Sequence, residues 1–264
     1  ENHSTDERHF AKCNARNARL PLHCFEVPAL PDDDLRNRLL TSEEEPNCMP
    51  EPAFFLSMLA ARQGYKVVYN ALGPDEIFGG YNYYRQAFYL NKINRFVPLI
   101  PGAFVPKRLR PKLNELKLYG LAFLPVIVRQ LFSWDEIASY FSEKKLQLPE
   151  HPLQFLKNQI DTLQPAFNKF PNMKKVSYVD IFYYISSHHT FRTDQPSMHW
   201  SVEMRFPFLD HHFVQKYFNQ PELFNHLHRD LKPKLKEYAR NILDEEVLSM
   251  PKRGFSMPVH AWSK

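Results

Sequence analysis

The sequence predicts an α/β protein that is mostly helical. One observation is an alternation of helix and strand patterns over the first 81 residues, which is typical of a parallel sheet layer. Another is a run of amphipathic stretches from residue 82 onward, interrupted by many of the 22 prolines and without a convincing strand pattern. With 264 residues, of which 44% are hydrophobic, the chain is long enough to bury a core.

The predicted sheet layer lies in the first 81 residues. Its helices are expected over residues 10–20, 35–40 and 53–63, and its strands over residues 23–27 and 65–70. Ser4 or Thr5 begins the first helix, Asp32 and the two acids after it cap the second, and Gly64 ends the third. The pattern therefore divides the chain into a partial nucleotide-binding layer, residues 1–81, and a helical remainder, residues 82–264.

Composition and charge exclude several classes of protein. The longest uncharged apolar run, residues 118–128, has 11 residues, about half of the ~20 that span a bilayer, so no membrane segment is expected. Cys13, Cys24 and Cys48 are too few for a disulfide framework, and reduced thiols favour a cytoplasmic location. The net charge of +5 arises locally, with eight Lys or Arg against one Glu in residues 85–117. Since this stretch has no nucleic-acid-binding motif, a solvated helical surface is favoured over a nucleic-acid partner.

The segment of residues 71–81 follows the second predicted strand. Ligands of open α/β sheets bind beyond the carboxyl ends of the strands, and this segment holds three of the seven glycines. Two interpretations of Asp75 and Glu76 remain open. One carboxylate holds Mg²⁺ on a polyphosphate, or both merely cap the helix that begins there.

Other charged residues stand at positions that could carry chemistry. Four charges among apolar neighbours are expected to be partly buried, either as an ion-pair network or as catalytic groups: Asp194, Glu203, Arg205 and Asp210. Lys232 and Lys252 could neutralise the charge of a departing pyrophosphate. Taken singly, each lysine is better explained as a solvated surface residue.

Three segments together resemble one known family. Residues 75–81 read DEIFGGY, residues 203–210 read EMRFPFLD after Ser197-Met198, and residues 251–255 read PKRGF. In their order and spacing they closely resemble the synthetase domain of the asparagine synthetase family, the class with an N-terminal-nucleophile glutaminase. The resemblance runs from about residue 1 to residue 262 and is weakest between residues 84 and 177.

The resemblance implies a fold, a reaction and its partners. The fold is a partial adenine nucleotide alpha hydrolase-like (HUP-type) parallel sheet with a large helical C-terminal portion. The reaction is adenylation of a small-molecule carboxylate by ATP with Mg²⁺, release of pyrophosphate and attack by an amine. The amine is usually ammonia from glutamine, so a glutaminase domain is the expected partner, and a homodimer is a candidate assembly.

The resemblance also assigns residues. Asp75 matches a metal-binding aspartate, and Gly73 belongs to the same nucleotide-binding segment. Lys252 matches the lysine that stabilises the transition state, and Lys232 matches a lysine that contacts pyrophosphate. Lys236 falls where an arginine is common.

Two departures from the family pattern bear on function. The Ser-Gly-Gly-x-Asp-Ser pyrophosphatase loop is not in these 264 residues, and we expect it just upstream of Glu1 in a longer protein. Leu72 stands where asparagine synthetases place a glutamate, so free aspartate is expected to be a poor acceptor. The alternative to an active enzyme is a catalytically inactive binding or scaffold module of the same descent.

Overall fold

The computed structural model describes residues 7–27, 32–44, 52–220 and 222–252. Its helices, in chain order, are α1 (Arg8–Ala18), α2 (Asp33–Leu40), α3 (Pro52–Arg62), α4 (Pro74–Phe78), α5 (Asn82–Lys92), α6 (Arg110–Tyr119), α7 (Leu124–Arg129), α8 (Trp134–Glu143), α9 (Pro152–Leu163), α10 (Asn172–Val179), α11 (Thr190–His199), α12 (His211–Phe218), α13 (Pro233–Ala239) and α14 (Glu245–Leu248). A π-helical segment, Asp180–His189, joins α10 to α11. The prediction of a mostly helical chain is confirmed.

Short 3₁₀ turns and two strands complete the described elements. The 3₁₀ turns are Asn94–Leu99, Gly102–Phe104, Lys107–Leu109, Leu121–Phe123, Phe167–Lys169 and Pro207–Leu209. The strands are β1 (Val67–Tyr69) and β2 (Glu203–Arg205), which pair in parallel with Val68 opposite Met204. The small parallel sheet agrees with the α/β prediction, whereas the HUP-type topology stays a prediction.

The chain forms two compact units. The first comprises Glu1–Gly73, Ser186–Val214 and Lys234–Lys264, and the second comprises Pro74–Ile185 and Gln215–Pro233. Each unit is built from stretches that are not contiguous in the sequence. The predicted division between residues 81 and 82 stays a prediction.

The core of the first unit is built around α3. Phe54, Phe55 and Met58 of α3 are buried together, and α11 packs against this helix. At the end of α3, Gly64 adopts a left-handed backbone with φ 82° and its N–H donates to the carbonyl of Ala61. The predicted helix and its glycine stop are confirmed.

Around this core, one predicted cap is confirmed and one predicted strand is wrong. Asp32 caps α2, because its carboxylate accepts the N–H of Leu35 at 2.8 Å. Residues 23–27 form no strand; Phe25 and Val27 pack against the apolar cluster instead. The predicted cap at Ser4 or Thr5 lies outside the described residues.

The second unit is helical. α10 packs against α5, α7 and the Leu121–Phe123 turn. The fully buried side chains of this unit include Ile77, Phe78, Tyr84, Ala87, Ile127 and Val176. No helix among the described residues combines the length and apolar character needed to cross a membrane.

Candidate active site

An ion pair joins Asp75 to Lys232 in the second unit. The Lys232 Nζ lies 3.0 Å from the Asp75 Oδ1. The Lys232 side chain is 28% exposed and the Asp75 side chain is 19% exposed. Asp75 stands in the first turn of α4, whereas Lys232 directly precedes α13. The structure thus brings together two of the residues predicted for one anionic site, although their roles stay predictions.

The two glycines after α4 determine where these side chains lie. The carbonyl of Gly79 accepts the N–H of Lys232 at 3.1 Å, and the N–H of Gly80 donates to the Asp75 carbonyl at 2.7 Å. An added Cβ on Gly80 would lie 1.8 Å from the Asp75 Oδ1, a separation that no substitution tolerates without movement. The close approach of the backbone to Asp75 therefore requires glycine at position 80, whereas glycine at position 79 is required by its positive φ of 75° and by its contact with Leu227.

Gly73 and Leu209 meet at the carboxyl edge of the small sheet in the first unit. Gly73 follows β1 with φ 107°, and a Cβ there would lie 2.4 Å from Leu209 Cδ2, beyond the end of β2. Positive φ and close packing both require glycine at this position. A role of Gly73 toward a nucleotide stays a prediction, as does the effect of the half-buried Leu72.

The predicted lysine Lys252 belongs to the first unit, where it is exposed. Its convergence with Asp75 and Lys232 stays a prediction, and so does the role of Lys236. The motif residues 253–255 lie outside the described part of the chain.

The four charges expected to be partly buried are exposed, which corrects that prediction. Glu203 and Arg205 pair with each other at the surface at 2.9 Å. Asp210 accepts the N–H groups of Phe213 and His212 at the start of α12, and these hydrogen bonds lower the pKa of its carboxyl. β2 is also a strand in the region where none was expected. Pairing with β1, rather than a local pattern, produces it.

Next to Asp75, Glu76 points into a buried network of the second unit. Its carboxylate accepts the Tyr81 hydroxyl at 2.8 Å, and its backbone carbonyl accepts the hydroxyls of Tyr84 and Ser177 at 2.8 and 2.7 Å. Burial, followed by the charge of Asp180, raises the pKa of Glu76 to about 7. Glu76 is therefore a structural residue of this network, whereas its neighbour Asp75 faces Lys232.

Asp180 and Arg129 form the charged centre of the network. Asp180 is fully buried and accepts the hydroxyls of Tyr83 and Tyr84. The Arg129 Nη1 donates to its Oδ1 at 2.5 Å, and the guanidinium stacks over Tyr184, 3.6 Å from the ring centroid. Burial raises the pKa of Asp180, and Arg129 and the hydroxyls oppose that shift.

Sequence reasoning missed both members of this pair. A usable signal existed, because Arg129 ends the uncharged apolar run of residues 118–128 and Asp180 is a lone acid between Val179 and Ile181. Charged residues in such apolar surroundings are buried only with a partner. The pattern could not indicate that each is the partner of the other.

Comparison with known proteins identifies the family. The family model for asparagine synthase matches residues 1–264, the whole chain. The chain belongs to the asparagine synthase family. The resemblance seen in the three motif segments is thereby confirmed.

Curated members of the family are distant in sequence. The chain is 28% identical over 228 residues to asparagine synthetase [glutamine-hydrolyzing] 1 of Bacillus subtilis (strain 168), a match that covers 82% of this chain and 35% of that protein. It is 26% identical over 223 residues to a putative asparagine synthetase [glutamine-hydrolyzing] of Mycobacterium bovis, covering 80% of this chain and 32% of that protein. A Mycobacterium tuberculosis protein of the same description matches to the same extent. This chain thus spans about a third of the length of these relatives, and no solved structure matches it significantly.

Proposed function

We propose that the chain is the synthetase part of an ATP-dependent amidotransferase. It would adenylate a substrate carboxylate, release pyrophosphate and direct an amine, ammonia from glutamine, to the activated carbonyl. Membership of the asparagine synthase family supports this reaction class. The observation that carries the site assignment is the partly exposed Asp75–Lys232 ion pair, whose aspartate lies in the motif segment of residues 75–81.

The donor set of this pair fits the cofactors of such a reaction. A partly exposed carboxylate suits Mg²⁺, which takes one or two carboxylates together with phosphate oxygens and water, and Asp75 would hold it. Bound Mg²⁺ supplies charge neutralisation at the phosphates. Lys232 supplies a second positive charge beside the same carboxylate and would contact the pyrophosphate group.

The two side chains perform separable tasks. In the absence of nucleotide, the two charged groups pair with each other at a separation of 3.0 Å. When the polyphosphate binds, Lys232 can turn toward it because its side chain keeps part of its exposure. Lys252 would act later, on the charge that develops as pyrophosphate leaves.

Leu72 affects the choice of acceptor. An apolar side chain at this position supplies no general base, so we propose an acceptor that is larger or less charged than free aspartate. A sugar acid or a peptide-like carboxylate fits this description. The adenylated carboxyl group is already activated, and ammonia is already a competent nucleophile. The reaction itself therefore does not require a general base at position 72.

ATP–pyrophosphate exchange in the protein that carries this chain tests the assignment. Asp75→Asn should lose most of the exchange rate while folding normally, and Lys232→Met should weaken binding of pyrophosphate. Asp135→Asn is the matched control, because Asp135 is an exposed acid in the first turn of another helix, α8. Exchange by Asp75→Asn at a near wild-type rate would remove Asp75 from the site. If the wild-type protein shows no ATP–pyrophosphate exchange with any of the carboxylate acceptors tested, the scaffold alternative is favoured.

A further inference from the structure

Three side chains with metal-ligand atoms meet between α1 and α14 in the first unit. His9 and Cys13 stand one turn apart on α1, and Glu246 lies in the first turn of α14. Their ligand atoms all lie within 4.8 Å of one another. The His9 Nε2 is 2.7 Å from the Glu246 Oε1 and 3.8 Å from the Cys13 Sγ.

The three groups differ in exposure, so that the site is open to solvent on one side. Cys13 is buried, with 8% of its surface exposed, whereas the side chains of His9 and Glu246 are 65% and 59% exposed. The thiol therefore lies at the base and the other two ligands at the rim. An ion can enter from solvent, and a water molecule can complete its coordination.

The distances are close to those of a tetrahedral zinc site. Zinc bonds of ~2.3 Å to sulfur and ~2.0–2.1 Å to nitrogen and oxygen place neighbouring ligand atoms about 3.3–3.6 Å apart. The His9–Cys13 separation of 3.8 Å is near that value, and the His9–Glu246 hydrogen bond must lengthen by roughly 0.6 Å, an adjustment small enough for exposed side chains.

We propose that His9, Cys13 and Glu246 form a zinc site that ties α1 to α14. A thiolate, an imidazole and a carboxylate are the ligand types zinc takes, whereas Mg²⁺ and Ca²⁺ prefer oxygen ligands alone. On binding, the Cys13 S–H bond breaks, an S–Zn bond forms and the proton passes to solvent, with no change in oxidation state. The site is separate from the Asp75–Lys232 pair and does not depend on the proposed function.

Cobalt substitution tests the proposal with a readout specific for sulfur ligation. In the protein carrying Cys24→Ser and Cys48→Ser, Cys13 is the remaining thiol of the chain, since the sequence has three cysteines. Titration with Co²⁺ should give a sulfur-to-cobalt charge-transfer band that saturates at one ion per chain. Zn²⁺ added afterwards should abolish the band by displacement.

Single substitutions then assign the other two ligands. His9→Gln and Glu246→Gln should each weaken Co²⁺ binding by at least tenfold, because even outer-shell partners of a metal cost about 10–100-fold when removed. Glu245→Gln, which changes the neighbouring glutamate of α14, should leave the affinity unchanged. Circular dichroism of each variant verifies the fold, and both substituted side chains are exposed enough to be replaced without unfolding.

Two results would overturn the proposal. One is the absence of a charge-transfer band when Cys13 is the remaining thiol. The other is a band whose affinity is the same in His9→Gln, Glu246→Gln and Glu245→Gln, which would mean that cobalt binds the thiol without these partners.

Discussion

Removing the cation from the buried Asp180–Arg129 pair should destabilise the second unit strongly. In Arg129→Met, Asp180 remains fully buried, and the donors left to it among the described residues are the hydroxyls of Tyr83 and Tyr84. Breaking a buried pair in this way costs about 3–5 kcal/mol of unfolding free energy. The two remaining donors place the expected loss near the lower end, at about 3 kcal/mol.

The opposite substitution should cost less. In Asp180→Asn, the amide oxygen can still accept a hydroxyl, and Arg129 keeps 21% of its side-chain exposure through which water can solvate it. The expected loss is about 1–2 kcal/mol. The double variant should be more stable than the sum of the single losses predicts, by about 1–3 kcal/mol, because it leaves no uncompensated buried charge.

Urea unfolding followed by circular dichroism measures these differences through the linear dependence of the unfolding free energy on urea. The pH dependence gives a second readout. Without Arg129, the pKa of Asp180 should rise further above its unfolded value, so the loss should be smallest in acid and grow as pH rises through the folded pKa. An Arg129→Met loss below about 1 kcal/mol, or strictly additive losses, would refute the reasoning.

Three further predictions concern residues of the motif segments. Gly80→Ala should displace Asp75 and abolish ATP–pyrophosphate exchange. The control Gly102→Ala should leave the exchange intact, because a Cβ there meets nothing within 4 Å, and equal exchange rates of the two variants would contradict the close approach of Gly80 to Asp75. Because the folded pKa of Glu76 is raised, its contribution to the unfolding free energy of the wild type is greatest below pH 4.5 and falls by about 3 kcal/mol as the pH rises through about 7. Glu76→Gln should lack this fall when urea unfolding is measured in EDTA across that pH range. Parallel pH profiles of the unfolding free energy in the two proteins would contradict the assignment. If the Lys252 charge acts in the transition state, as proposed, Lys252→Ala should lower turnover far more than it weakens ATP binding. Equal effects on turnover and binding would count against that role.

Local patterns predicted the elements whose signals are local. The acid cap of α2, the glycine stop of α3 and the β-branched run of β1 each arise from neighbouring residues, and each is found. Strand pairing is not local. Residues 23–27 have a strand-like composition but pack as an irregular segment, whereas Glu203–Arg205, with charges at both ends, is a strand because it pairs with β1.

The candidate site shows the same limit. Asp75 and Lys232 could be singled out from the sequence only through the resemblance of their segments to a family, because nothing near either residue indicates the other. Gly79 and Gly80 carry the physical reason in their own positions, since one accepts the N–H of Lys232 and the other leaves room for Asp75. The buried Asp180 was missed because burial of a charge depends on the partner that the fold supplies.

The buried network explains how a five-residue helix can hold the Asp75 carboxylate in a defined place. A helix as short as α4 is not stable by propensity alone, so its geometry must come from tertiary contacts. Glu76 makes several of those contacts: its carbonyl accepts the hydroxyls of Tyr84 and Ser177, and its carboxylate accepts the hydroxyl of Tyr81. Since Asp75 and Glu76 are adjacent, anchoring one residue fixes the backbone of the other. Asp75 can therefore meet Lys232 in a defined position.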